Sequence, residues 1–540
     1  MSQESWYALF QNNRQKYLRA FVGLCAIFVL SSLCAAELTV SPSTVNFGAV
    51  PVGSSVSQSV TLTNARGATV KISQLVASGA GFSVSGLATP VELSAHHSVS
   101  FTVVFAPQAS GGVSGTVQIQ SNAIDAKLHM NLSGTGQGQA KVTTPPTLFG
   151  LNLNPEVISG KVPWPTFSFG AIRLWNSGTT WADLEPTNGV YNWGQLDSWL
   201  DRGQSAGVTS FVYTFGKGTP SWISSNPNDT VCNKDGNPMT TGQCDPPKDV
   251  NSGDQSFKAF VTALVQHAAG KISAYECINE PDVPEQWTGT MAQTLTMCTD
   301  MYQIVKANDP AALVTTPAPV AYTGQSVGSW MTSYLQSGGG KYADIVAFHG
   351  YQGLKLAQNP ETINTIVQAV VTAVNNNSSG SKPIWDTEMS WDGNTNLPDQ
   401  DLQAAFVASV YLLQWSQGVS RFYWFQYGAY NIGTLWTSTG GDNEAATAYG
   451  VVYGWLVGSS LTQPCSANGN VWTCGFQKSN GAQALAVWDS SQTCKNGSCT
   501  SSSYTTGSAY NQYVDLTGNV HAITPGSTIQ IGAKPILLEN

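Results

Sequence analysis

Residues 272–284 read ISAYECINEPDVP. Apolar and polar residues alternate from 272 to 277 and lead into Ile278-Asn279-Glu280-Pro281. The alternation predicts a strand, and Pro281, which cannot continue a ladder, ends it beside an Asn–Glu pair. Glu280 is therefore expected at the C-terminal end of a strand. Glu276 lies four residues earlier on the same face and is expected deeper, in a structural network. A second stretch of the same kind, residues 383–388 (PIWDTE), again ends in a carboxylate, Glu388. In a barrel of alternating strands and helices, that end of a strand is where catalytic groups sit. Two carboxylates on two strand ends are the minimum equipment for glycoside hydrolysis.

Working outward, the chain from residue 148 alternates strand and helix patterns, which predicts a parallel sheet with helices outside. Eight strand candidates cover 148–154, 171–178, 209–216, 273–280, 312–319, 344–351, 383–390 and 420–428. Amphipathic stretches between them include 193–206, 256–269, 291–308, 360–375 and 402–417, with a last helix at 443–457. This predicts a (β/α)8 TIM barrel as the catalytic domain over 148–458. Residues 459–540 return to short strands between Gly, Asn and Ser turns, a small C-terminal β-sandwich. Residues 37–136 are also all-β, short strands at regular spacing, which predicts a separate N-terminal β-sandwich. His96 and His97 fall in one of its turns, and it holds no titratable constellation. Residues 137–147, rich in Gly and Gln and ending in a Pro pair, are read as a linker.

Composition narrows the class. Charged residues are 10% of the 540 and the net charge is −9. No basic run follows residue 19, which argues against a nucleic-acid partner. Seventeen Trp and nineteen Tyr supply more aromatic surface than a core alone needs, enough to line a groove. Arg14, Lys16 and Arg19 precede an apolar run at 20–30 and then small residues, the pattern of a secretory signal over 1–36. A membrane link would come only through an uncleaved form of this segment. A lipid anchor on Cys34 is disfavoured by bulky Leu33. Eight cysteines follow, an even number that in an exported chain implies disulfides. Close spacing pairs Cys232 with Cys244, Cys465 with Cys474 and Cys494 with Cys499. Cys277 would then pair with Cys298, or stand as a buried free thiol. No Cys or His group has zinc-ligand spacing, and no metal or organic cofactor is required by the chemistry.

Specific motifs carry a resemblance. Residues 45–64 (VNFGAVPVGSSVSQSVTLTN) and 101–122 resemble the immunoglobulin-like modules of the ASPM/SPD-2/hydin type. Residues 148–540 resemble clan A glycoside hydrolases, and most of all family 39. The likeness lies in 171–201, in AYECINEP at 274–281, in DIVAFHGY at 344–351, in PIWDTEMSW at 383–391 and in the closing KPILLEN. One departure bears on the inner pocket: Cys277-Ile278 stands where the family often has Trp before the Asn–Glu pair.

The resemblance implies an exported retaining enzyme acting on a β-linked oligo- or polysaccharide. Glu388 would be its nucleophile and Glu280 its acid/base. Asn279 would donate to the sugar 2-hydroxyl. Arg173 would steady Glu388, and His349 or Tyr351 would position it. Trp424 would floor the innermost subsite, with Trp287, Trp175, Trp391 and Trp436 widening the groove. The alternatives are a non-catalytic polysaccharide-binding protein on the same scaffold, or a transglycosylase.

Overall fold

The computed structural model describes residues 37–51, 55–107, 111–124, 126–137, 143–233, 240–320, 326–351, 359–377, 382–428 and 431–540. The signal expected over 1–36, and residues 138–142 of the expected linker, lie outside these residues. The chain divides into two compact units, Met1–Val142 and Thr143–Asn540.

The first unit is an immunoglobulin-like β-sandwich. One sheet has four strands in the order Leu38–Ser41, Val56–Asn64, Ser98–Phe105, Phe82–Ser85. The other has five, in the order Thr44–Pro51, Lys127–Gln137, Gly111–Ser121, Val70–Ser78, Val91–Leu93. Two-residue alternation sends one face of each strand inward. Val60, Leu62, Phe101, Val103 and Phe105 thus meet Ile72, Val117, Ile119 and Met130 in a single core.

The second unit contains an eight-stranded parallel barrel. In chain order its strands are Phe149–Leu153, Ala171–Leu174, Ser210–Thr214, Ala274–Glu276, Leu313–Thr315, Val346–His349, Ile384–Met389 and Val419–Tyr427. The hydrogen-bonded order runs from the fifth strand back to the first, then eighth, seventh, sixth. A single parallel bridge, Thr315 to Ile345, joins the fifth strand to the residue before the sixth and nearly closes the ring. The fourth strand pairs regularly only over Ala274–Glu276, shorter than its sequence pattern suggested. Its residues are buried on both faces, because helices cover the outside. The helix Gln255–Ala268 shows how: Phe257, Phe260, Val261, Leu264 and Ala268 form one apolar stripe against the sheet.

Inside the barrel, side chains stack in layers. The lower layer is apolar: Ala171, Val212, Ala274, Ile345, Trp385 and Tyr423. Gly150 belongs to this level, since a Cβ there would lie 2.3 Å from the Tyr423 ring. Two residues further along the same strands, alternation brings polar groups inward: Asn152, Arg173, Thr214, Glu276 and Thr315, all buried. The active-site candidates sit on this polar floor, at the C-terminal ends of the strands.

After the last barrel helix, Glu444–Leu456, the chain forms a six-stranded sheet and two two-stranded ribbons, Cys494–Lys495 with Ser498–Cys499 and Ser502–Thr505 with Thr528–Ile531. The sheet packs on the barrel through Trp415 and Phe476, whose rings meet edge to face at 5.5 Å. Four disulfides are present: Cys232–Cys244, Cys277–Cys298, Cys465–Cys474 and Cys494–Cys499. Cys277 is therefore bonded rather than free, and ties the fourth strand's exit to helix Met291–Asn308. Among the described residues no helix is long and apolar enough to cross a membrane.

Candidate active site

Arg173 is the centre of the polar floor. Its guanidinium is fully buried and makes contacts in five directions. Nη1 donates to Glu388 Oε2 at 2.7 Å and to Asn152 Oδ1 at 3.2 Å. Nη2 donates to Glu276 Oε1 at 2.5 Å and to Asn279 Oδ1 at 2.6 Å, and Nε reaches the same Glu276 oxygen at 3.1 Å. Nη2 also lies 3.4 Å from His349 Nε2. One buried cation on the second strand thus fixes groups from the first, fourth, sixth and seventh strands or their exits.

These contacts also settle the histidine tautomer. Burial lowers the His349 pKa to about 4, so the ring is neutral at neutral pH. A guanidinium only donates, so Nε2 must be the accepting nitrogen and Nδ1 carries the proton. Nδ1 lies 2.9 Å from Glu280 Oε1 and donates to it. When Glu280 is protonated, its proton therefore sits on Oε2.

Glu280 has φ +43°, in the left-handed region that non-glycine residues rarely enter. Its N–H donates to Ala318 O at 3.0 Å and its carbonyl accepts from Val283 N at 3.0 Å, which holds the backbone there. Backbone strain of this kind concentrates at functional sites. The side chain is 13% exposed and that of Glu388 8%. Burial, then Asp282, push the Glu280 pKa up to about 8, against the pull of Arg173. Burial also raises Glu388, but His349, when protonated, and Arg173 oppose the rise. Tyr351, kept neutral by burial, reaches Glu388 Oε1 from 3.3 Å. The expected positioning pair is thus divided: Tyr351 contacts Glu388, and His349 contacts Glu280.

Ligand atoms of Glu280, His349 and Glu388 all lie within 4.8 Å of one another. Two carboxylates and an imidazole at that spacing are a donor set a cation could use. The buried Arg173 charge bonded to Glu388 works against placing a second positive charge there.

Asn279 is brought into the cluster, with its Oδ1 committed to Arg173, so its NH2 is the end that can donate. Trp424 and Trp287 are corrections. Trp424 is fully buried outside the barrel wall, packed on Trp391, Phe406 and Phe422, with Nε1 donating to Gly433 O at 2.8 Å. It cannot floor a pocket. The reason is parity: Tyr423 faces the lumen, so Trp424 faces the helices and Phe425 turns inward. Phe425 is 7% exposed and was missed, although counting by twos from Tyr423 finds it. Trp287 is 3% exposed, its Nε1 bonded to Thr294 Oγ1 at 2.9 Å, and belongs to the core rather than a groove. Trp391 is likewise buried. Trp175 lies beside the site, its ring centroid 5.7 Å from Arg173 Cζ, and Trp436 is half-buried on the ribbon Trp436–Thr437. Asn152, also unforeseen, reaches Arg173 from the first strand.

Comparison with known families agrees with this architecture. Residues 248–453, which include both glutamates, match the family described as "Glycosyl hydrolase catalytic core". Residues 175–272 match "Beta-galactosidase". Residues 36–127 match "Abnormal spindle-like microcephaly-assoc'd, ASPM-SPD-2-Hydin". Among solved structures the chain is similar to a glucosidase from Croceicoccus marinus, at 14% identity and TM-score 0.53, covering 74% of this chain and 96% of that one. It is also similar to a family 39 β-xylosidase from Caulobacter crescentus, at 15% identity and TM-score 0.50, covering 74% and 98%. At these identities the likeness is one of fold. Among the curated proteins none matches.

Proposed function

We propose that the barrel, a glycoside hydrolase catalytic core, cleaves a β-linked oligo- or polysaccharide with retention of anomeric configuration. Glu388 is the nucleophile and Glu280 the acid/base. The observation that carries this reading is the spacing of the two carboxylates, whose facing oxygens lie within 4.8 Å. Retaining enzymes hold the pair about 5–5.5 Å apart, whereas inverting ones need about 6.5–9.5 Å to admit a water.

The first step follows from the charges. Glu280, protonated up to about pH 8, gives its Oε2 proton to the glycosidic oxygen as the anomeric C–O bond breaks. Glu388, held by Arg173 and Tyr351, attacks the anomeric carbon and becomes an ester. Esterification removes the Glu388 charge, so ionised Glu280 no longer faces a second carboxylate. It then takes a proton from water, which attacks the anomeric carbon and releases Glu388. The Asn279 NH2 is assigned to the sugar 2-hydroxyl, a bond that strengthens as charge develops on the ring. Phe425 replaces Trp424 as the proposed floor of the innermost subsite.

The four disulfides favour an oxidising compartment, and the 1–36 segment gives the route to it. The first unit is assigned a spacer or anchoring role. A chain beginning near Lys141 is expected to keep its rate on a soluble substrate; a folded barrel without activity would count against that assignment.

The test of the roles is a Glu280→Ala variant. With an activated aryl glycoside, which needs little protonation, it should still form the glycosyl-enzyme. Turnover then lacks its base, and added azide should restore it as a β-glycosyl azide. An absence of azide rescue in a variant that still binds the substrate would remove Glu280 from the acid/base role.

A further inference from the structure

The seventh strand carries one residue more than the sixth where Glu388 sits. Phe348 pairs with Asp386 and His349 pairs with Glu388, which leaves Thr387 unmatched. The register against the eighth strand shifts at the same place. Trp385 faces the lumen. By simple alternation Thr387 would follow it inward and Glu388 would point to the helices. The extra residue reverses this, as a β-bulge re-aims a side chain.

Asp386 stands at the base of the bulge and is fully buried. Its Oδ1 accepts the Gly350 N–H at 3.2 Å, and the Glu388 backbone N–H also donates to its carboxyl. It therefore takes up backbone donors at the point where the ladder loses its regular register. Gly350 lies between His349, bonded to Glu280, and Tyr351, which contacts Glu388. A Cβ on Gly350 would come within 2.5 Å of Asp386 Oδ2, so the turn rests directly on this carboxyl. Gln414 also hydrogen-bonds this carboxyl, although no contact to Oδ2 reaches regular hydrogen-bond geometry among the described residues. A buried carboxyl in that state is costly to fold. An apolar side chain would serve the packing better.

We propose that Asp386 is a positioning residue for the reaction: its carboxyl holds the bulge that aims Glu388 and the turn that carries His349 and Tyr351. This rests on Glu388 being the nucleophile. The side chain never meets substrate; it acts through the backbone of Glu388 and Gly350. Burial pushes its pKa well above the usual carboxylate range, which favours the neutral acid. An amide of the same shape should then replace it, because Oδ1 still accepts.

The test uses the full chain and two mechanism-based probes, the 2,4-dinitrophenyl 2-deoxy-2-fluoro-β-glucoside and β-xyloside. In wild type, one or both should leave an ester on Glu388, seen by peptide mass. Asp386→Asn should be labelled at a rate within a few-fold of wild type. Asp386→Ala should bind the probe with similar affinity but be labelled roughly 100-fold more slowly, the penalty of a misplaced nucleophile. Melting curves establish that both variants fold. Should the Ala variant not fold, Gly350→Ala, which presses on the same carboxyl from the other side, should show the same separation of rate from affinity. Wild-type labelling at Glu388 with undiminished labelling of the folded Ala or Gly350 variant overturns the inference alone. So does a loss of rate and probe affinity together in both Asn and Ala, which would mark a general packing role. Wild-type labelling elsewhere, or none, overturns the nucleophile assignment and the inference with it.

Discussion

Arg173→Met is the perturbation that most strains the site. The guanidinium and the Glu276 carboxylate are both fully buried. Glu276 Oε2 has no hydrogen-bond partner among the described residues, and the donors to Oε1 among them are those of Arg173. Met fills a similar volume but leaves Glu276 and Glu388 without their cation. Breaking a buried pair by removing one partner costs about 3–5 kcal/mol, because the survivor stays buried and uncompensated. That is the expected loss of unfolding free energy at neutral pH. Residues 37–142 contain no tryptophan, so in a chain without residues 1–36 and their Trp6, tryptophan fluorescence during urea unfolding follows the second unit. Activity should fall as well, since Glu388 loses the donor that opposes its protonation. A second change, Glu276→Gln, should recover much of the stability by removing the orphaned charge, yet restore no activity. A single variant within about 1 kcal/mol of wild type would refute the reasoning, as would a double variant no more stable than the single; both follow from the buried-pair cost.

The pH profile supplies a second expectation. Glu280 must be protonated to act and its pKa is raised to about 8, so kcat/KM should fall as pH rises through that value; an alkaline limb near pH 5 would place the acid elsewhere. A third concerns Asp254, fully buried and paired with the Asp300 carboxyl. Burial, then Asp300 and Asp249, raise its pKa from 3.8 to about 7. A raised acid favours the fold at low pH and loses that contribution as pH rises through about 4 to 7. Asp254→Asn should therefore gain stability over wild type at pH 8, by up to roughly 4 kcal/mol, and much less at pH 5; an equal difference at both pH values would contradict the account.

The barrel was legible from the alternation of strand and helix patterns and from two strands that end in a distinct signal. Pro281 after Asn279-Glu280, and the carboxylate closing PIWDTE, mark strand ends by chemistry rather than by fine periodicity. Counting by twos also placed Glu276 beneath Glu280. What the pattern could not carry was the bulge at Thr387. A strand with one extra residue still looks regular in sequence, but every later side chain changes face. Strict alternation from Trp385 would have sent Glu388 outward. Trp424 failed for the opposite reason. It is a large aromatic near a strand end, and only parity with Tyr423 shows that it faces the helices. Cys277 was ambiguous because its partner Cys298 is on a helix 21 residues away, and closeness in sequence says little about such a pair. The Glu280 pKa depends on burial first and then on Asp282, which requires the folded turn at φ +43° to be seen.

The measurement that tests the central claim most directly is the configuration of the first product. Proton NMR during cleavage of a β-glycoside, before mutarotation, resolves the anomeric signals of the released sugar. Glu280 and Glu388 with facing oxygens within 4.8 Å predict the β-anomer first, by two displacements through an ester on Glu388. Appearance of the α-anomer first would mean a single displacement by water, a carboxylate separation of about 6.5–9.5 Å, and no nucleophilic role for Glu388.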